Sequence, residues 1–102
     1  GTSAVYQLRF PKIGRYELVF RMSSTLGELA QLPISVFLNN TLQQTVTLNG
    51  TEGQTMERVV TLPIRQDGEK YMKLYFGESG IDMHRMFLRY VGKNDIESIR
   101  NE

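Results

Sequence analysis

The chain has 102 residues, 40% of them hydrophobic, and sets 12 Lys and Arg against 11 Asp and Glu for a net charge of +1. A chain of that length is one domain, buries roughly 65% of its unfolded surface, and has apolar residues enough for one core. Near-balanced charge argues against a nucleic-acid binder, whose phosphate partner demands clustered cations, and the absence of cysteine excludes disulfides and thiolate metal sites.

No stretch approaches the ~18–20 apolar residues of a membrane span. The chain opens on "GTS" without an initiator Met or a signal segment, and so reads as a piece processed or cloned from something longer.

Strand signals follow one another with turn residues about every ten positions, the rhythm of a sandwich or barrel. The first is "AVYQLRF" (residues 4–10), closed by "PKIG". "GRYELVFRMSS" comes next, with Tyr16, Leu18, Phe20 and Met22 on one face and Glu17 and Arg21 on the other. A period of two suits a half-buried strand, because successive side chains leave a pleat on opposite sides. The connection "SSTLGELAQL" (residues 23–32) is the longest, and loops on a rigid scaffold are where binding residues tend to sit.

"LPISVFLNN" places Ile34, Val36 and Leu38 on one face, and "QQTVTLNG" turns Val46 and Leu48 inward between threonines. "TMERVVTLPI" follows the turn "NGTEG". Asp67-Gly68 marks a further turn. It leads into "KYMKLYF", where Met72, Leu74 and Phe76 alternate with Tyr71, Lys73 and Tyr75. The last strand is "IDMHRMFLRYV" (residues 81–91), whose alternation slips near Arg85 and Met86, the mark of a bulge or of a strand crossing between sheets. These elements predict an all-β sandwich of about seven or eight antiparallel strands over residues 1–92; the resemblance given below makes it a jelly roll. Residues 93–102 are expected as a tail or a short helix capped by Asn94 or Asp95.

The strand "GRYELVFRMSS", then "ISVFLNN", the turn at "RQDGEKYMKLYF" and the closing "GIDMHRMFLRY" together resemble the family 6 and related carbohydrate-binding modules. The resemblance spans most of residues 5–91 and implies a galactose-binding-like jelly roll. It also implies a carbohydrate partner and an accessory, non-catalytic place beside a glycoside hydrolase outside the cytoplasm. In that family an aromatic residue, often Trp, begins the strand after the mid-chain turn and stacks on a sugar ring. Met56 stands at the matching position, and a flexible thioether gives contact area without a flat platform. Asp82 stands where the family has a hydroxyl-binding Asn. The family's calcium-bearing N-terminal strand has no counterpart before Val5, so neither a metal nor any other cofactor is carried over. Weak or lost sugar binding is the expectation, with Met56 as a packing residue at a rim.

On this resemblance and on loop placement, Asp82, Asn39 and Asn40 are the expected hydrogen-bond partners of sugar hydroxyls, and Tyr6 and Tyr75 the expected stacking rings. The alternative is a protein-interaction domain without sugar affinity. It would use a face of Phe37, Tyr71 and Tyr75, with Phe87 on a comparable face, covered by a neighbouring domain of the parent protein. His84, the single histidine, has no second imidazole and reads as structural.

Overall fold

The computed structural model describes residues 1–92; the expected tail or helix at 93–102 lies outside the described residues. Seven strands form, β1 (Thr2–Phe10), β2 (Gly14–Ser23), β3 (Gln31–Leu38), β4 (Thr41–Asn49), β5 (Met56–Ile64), β6 (Gly68–Phe76) and β7 (Asp82–Gly92). They pair antiparallel in a four-stranded sheet, order β1-β6-β3-β4, and a three-stranded sheet, order β5-β2-β7. The expected all-β sandwich stands, with seven strands.

The period-two alternation is what builds the core. Tyr16, Leu18, Phe20 and Met22 of β2 all face inward and are buried. They join Ile34, Val36 and Leu38 of β3, Val60, Leu62 and Ile64 of β5, and Met72 and Leu74 of β6 in one cluster. Strand β2 lies between β5 and β7, so its outward Val19 is also fully buried, between Val59 and Phe87. Strand β4 is an edge, and its first five residues are exposed.

The turns follow from local chemistry. Asn39 and Asn40 join β3 to β4 with both residues at positive φ, 47° and 67°. That is the type I′ arrangement, which Asn tolerates better than other non-glycine residues. Gly68 opens β6 at φ 112°, which fits the Asp67-Gly68 turn signal. The turn at residues 11–13 is sealed by two tyrosines. Tyr16 donates its hydroxyl to the Lys12 carbonyl at 2.7 Å, and Tyr90 donates to Ile13 at 3.3 Å.

The slip foreseen in the last strand is a bulge. Arg21 faces Arg85 while Met22 faces Met83, which leaves His84 as the extra residue. One expectation is corrected. Phe87 belongs to the smaller sheet, opposite Val19, so the core separates it from Phe37, Tyr71 and Tyr75 on the larger one. Alternation within a strand says which residues share a side, and says nothing about which sheet a strand joins.

The core makes a direct prediction. Leu74→Ala removes a side chain that is 1% exposed and should cost about 2–5 kcal/mol in urea unfolding. Leu29→Ala, at a loop position 92% exposed, should stay within about 0.5 kcal/mol.

Candidate functional site

Strand direction sorts the connections to two ends of the sandwich. Residues 24–30, 50–55 and 77–81 lie at the upper end, and residues 11–13, 39–40 and 65–67 at the lower. At the upper end the two longer loops clamp each other. The buried Thr51 hydroxyl accepts the Ser24 amide at 2.8 Å and donates to the Ser24 carbonyl at 3.0 Å. The Gly53 amide reaches the same carbonyl at 2.7 Å, and the Glu52 amide reaches Leu26 at 3.0 Å. A Cβ on Gly50 would run into the carbonyl oxygens of Gly27 and Leu26, so the close approach requires glycine there.

Next to this clamp the sandwich is open along one side, where edge strands β1 and β7 face each other. Two hollows of about 350 and 410 Å³ adjoin there and share Tyr6 and Met83. The upper one runs to Phe76, Glu78, Ser79 and Ile81; the lower one reaches Leu8, His84, Arg85 and Met86. Together they make a groove with an apolar floor and a polar rim. Tyr6, on the core-facing phase of β1 but 36% exposed, presents the ring in it. Flat rings with polar tips suit amphipathic ligands such as sugars. His84 places Nε2 2.7 Å from the Ser23 Oγ, which anchors the bulge at the groove wall.

A separate hollow, about 380 Å³, opens at the lower end between the β3–β4 turn and residues 65–67. Buried Leu38 and Ile64, with Pro63, form its floor. Asn39, Thr41, Gln43, Arg65, Gln66 and Lys70 form its walls.

The outer face of the larger sheet carries the aromatic ribbon. Tyr71 is 59% exposed, with Tyr75 further along the same strand, Val5 exposed beside that strand on β1, and Leu42 exposed on β4 opposite Phe37. Phe37 lies on this face under Lys73, whose Nζ is 4.5 Å from the ring centroid.

The five expected sugar-binding residues do not converge. Tyr6 is in the groove. Asp82 is exposed and sits between the groove residues Ile81 and Met83, so strand alternation puts it on the opposite face. Asn39 lines the lower hollow, with its Oδ1 already accepting the Tyr71 amide at 2.9 Å, and Asn40 is the exposed tip of the turn. Tyr75 is on the outer face. Met56 is 39% exposed at the start of β5, with an Arg58 guanidinium nitrogen 4.0 Å from its sulfur, which places it at a rim. Sequence reasoning missed Arg65, Lys70 and Gln43. One signal was legible: Lys70 shares the phase of Met72, Leu74 and Phe76, so a cation stands on an otherwise apolar face.

Two layers of short antiparallel strands make a β-sandwich, and comparison with solved structures gives it the fold of carbohydrate-binding modules. A family 35 carbohydrate-binding module from Clostridium thermocellum matches with TM-score 0.74 at 15% identity, over 87% of this chain and 70% of that one. The CBM36-1 domain of a multidomain xylanase from the hindgut metagenome of Trinervitermes trinervoides matches with TM-score 0.67 at 13% identity, over 88% and 72%. A β-glucosidase from Paenibacillus barengoltzii matches with TM-score 0.71 at 19% identity, over 83% of this chain and 9% of that enzyme. In sequence, the chain is 32% identical over 80 residues to a β-glucosidase of Ruminococcus albus, 78% of this chain but 8% of the enzyme. No family model matches. The chain thus has a carbohydrate-binding-module fold and resembles a small region within a glycoside hydrolase.

The upper clamp yields a test. Thr51→Val keeps the shape but strands the Ser24 amide and leaves the Ser24 carbonyl to the Gly53 amide alone, and should cost about 1–3 kcal/mol by chemical denaturation with strand content by circular dichroism unchanged.

Proposed function

We propose that this chain is a non-catalytic accessory module of a larger carbohydrate-active enzyme, and that it holds a saccharide weakly in the groove between β1 and β7. Two likenesses support the reading together: a binding-module fold, and an 80-residue match that makes up 8% of a β-glucosidase. The site chemistry fits the role. Tyr6 offers a ring to the C–H face of a pyranose, and the apolar floor of Met83 and Ile81 continues that surface. Glu78, Ser79 and His84 along the rim offer acceptors and donors to hydroxyls.

A single half-exposed tyrosine with no tryptophan beside it gives modest contact area, which is the reason for the weak affinity. A module that holds a polymer works where the polymer is, so its place is outside the cytoplasm. Titration calorimetry or affinity electrophoresis of the 102-residue chain against neutral plant, fungal and host oligosaccharides tests the proposal. Binding at millimolar strength is expected, weakened roughly tenfold by Tyr6→Ala, a change equivalent to about 1.4 kcal/mol. Silence across all of these neutral glycans would overturn the groove assignment.

The outer face supports a second reading, in which the domain packs against its neighbour in the parent enzyme. Val5, Leu42, Tyr71 and Tyr75 together expose more apolar surface than single scattered residues do, and such patches mark interfaces. Tyr71→Ser combined with Tyr75→Ser should leave glycan affinity unchanged and lower the unfolding temperature of a chain carrying both domains.

A further inference from the structure

Arg65 and Lys70 flank the lower hollow, and no hydrogen bond or ion pair engages either side chain among the described residues. Lys70 is half-buried on the core-facing phase of β6, where it meets the open end of the sandwich. A half-buried ammonium without a counter-ion is costly, and its charge is screened less than on a flat surface. Among the described residues no carboxylate lines the hollow; Asp67 is exposed in the same connection but is not part of the lining, and Glu69 on the outer face is taken by Gln7 at 2.6 Å. In a chain with a net charge of +1, two unpaired cations facing one cavity without an acid are a local feature, not a global bias.

The uncharged walls add direction. Asn39 has its Oδ1 turned to the Tyr71 amide, so its other side-chain polar atom, Nδ2, is a donor. Gln43 is the extra residue of a bulge, since Val36 faces Gln44 and Phe37 faces Leu42, and bulges re-aim side chains. Its Nε2 is tethered to the Thr41 carbonyl at 3.0 Å, which fixes the amide at the mouth. Arg65 contributes a planar fork suited to a two-oxygen anion and Lys70 a point charge, above the apolar floor of Leu38, Pro63 and Ile64.

We infer that the lower hollow is an anion subsite that takes an acidic group carried on a glycan, a carboxylate or a sulfate ester, at the end of the sandwich away from the upper loops. The inference rests on the carbohydrate reading but not on the groove. Amide chemical-shift titration of the 102-residue chain tests it with three probes: a neutral oligosaccharide, a uronate-bearing one and a sulfated one. At low salt an acidic probe should shift the amides of Asn39, Arg65 and Gln66, and the arm that responds tells carboxylate from sulfate. Arg65→Gln and Lys70→Gln should each weaken that response about five- to tenfold and leave neutral binding unchanged. Neutral binding in the groove with no acidic response at the hollow overturns this inference and leaves the module reading intact. An acidic response that survives both substitutions overturns it as well. An acidic response at the hollow without neutral binding sinks the groove assignment alone, and silence from every probe sinks both.

Discussion

Everything in this domain hangs on the inward row of β2. Tyr16, Leu18, Phe20 and Met22 are buried because a strand flanked by both its neighbours leaves no edge through which water reaches them. Hydrophobic burial scales with the area removed from water, so the middle strand of the smaller sheet is where each residue contributes most. Phe10 packs edge-on to Tyr16 at 5.0 Å and Tyr16 to Tyr90 at 5.1 Å, which carries the core down to the lower turn. With that row in place both sheets are fixed face to face. The hollows are then whatever space the two sheets leave open at their margins.

Much of this was legible in the sequence because one side of each sheet is wet. Alternation in "RYELVFRM" and "YMKLYF" marked strand, face and register at once, since a slip of one residue would turn the whole apolar set outward. The bulge near Arg85 was legible for the same reason: a break in the period has to be absorbed somewhere. The pairing order of strands was not, because it depends on contacts between residues far apart in the chain. That is why Phe87 was grouped with aromatics that lie across the core from it.

The site was less legible than the fold, and for a chemical reason. Asn39 and Asn40 are residues a sugar could use, and they are also residues a two-residue turn needs. Their positive φ and the bond from Tyr71 to Asn39 show the second use. Polar residues in a short chain serve backbone geometry first, and a sequence does not distinguish that use from ligand binding. Tyr6 was the converse case. Its place on the core phase of an edge strand makes it half-buried, and the same edge position opens it to the groove.

The hollows coincide with the places where the two-residue period fails. His84, the extra residue of β7, lines the groove. Gln43, the extra residue of β4, lines the lower hollow, and Lys70 puts a charge into the apolar phase of β6 beside it. A perfectly alternating sandwich would close its apolar faces and present only flat polar sheets to solvent. Each irregularity costs ladder hydrogen bonds or apolar burial, and each turns a polar side chain toward a space the core cannot fill. The scaffold keeps its regular pattern along the inward row of β2 and in its pairing with β5, and departs from it in the edge strands β4 and β7 and at the start of β6, where the sheets meet open space.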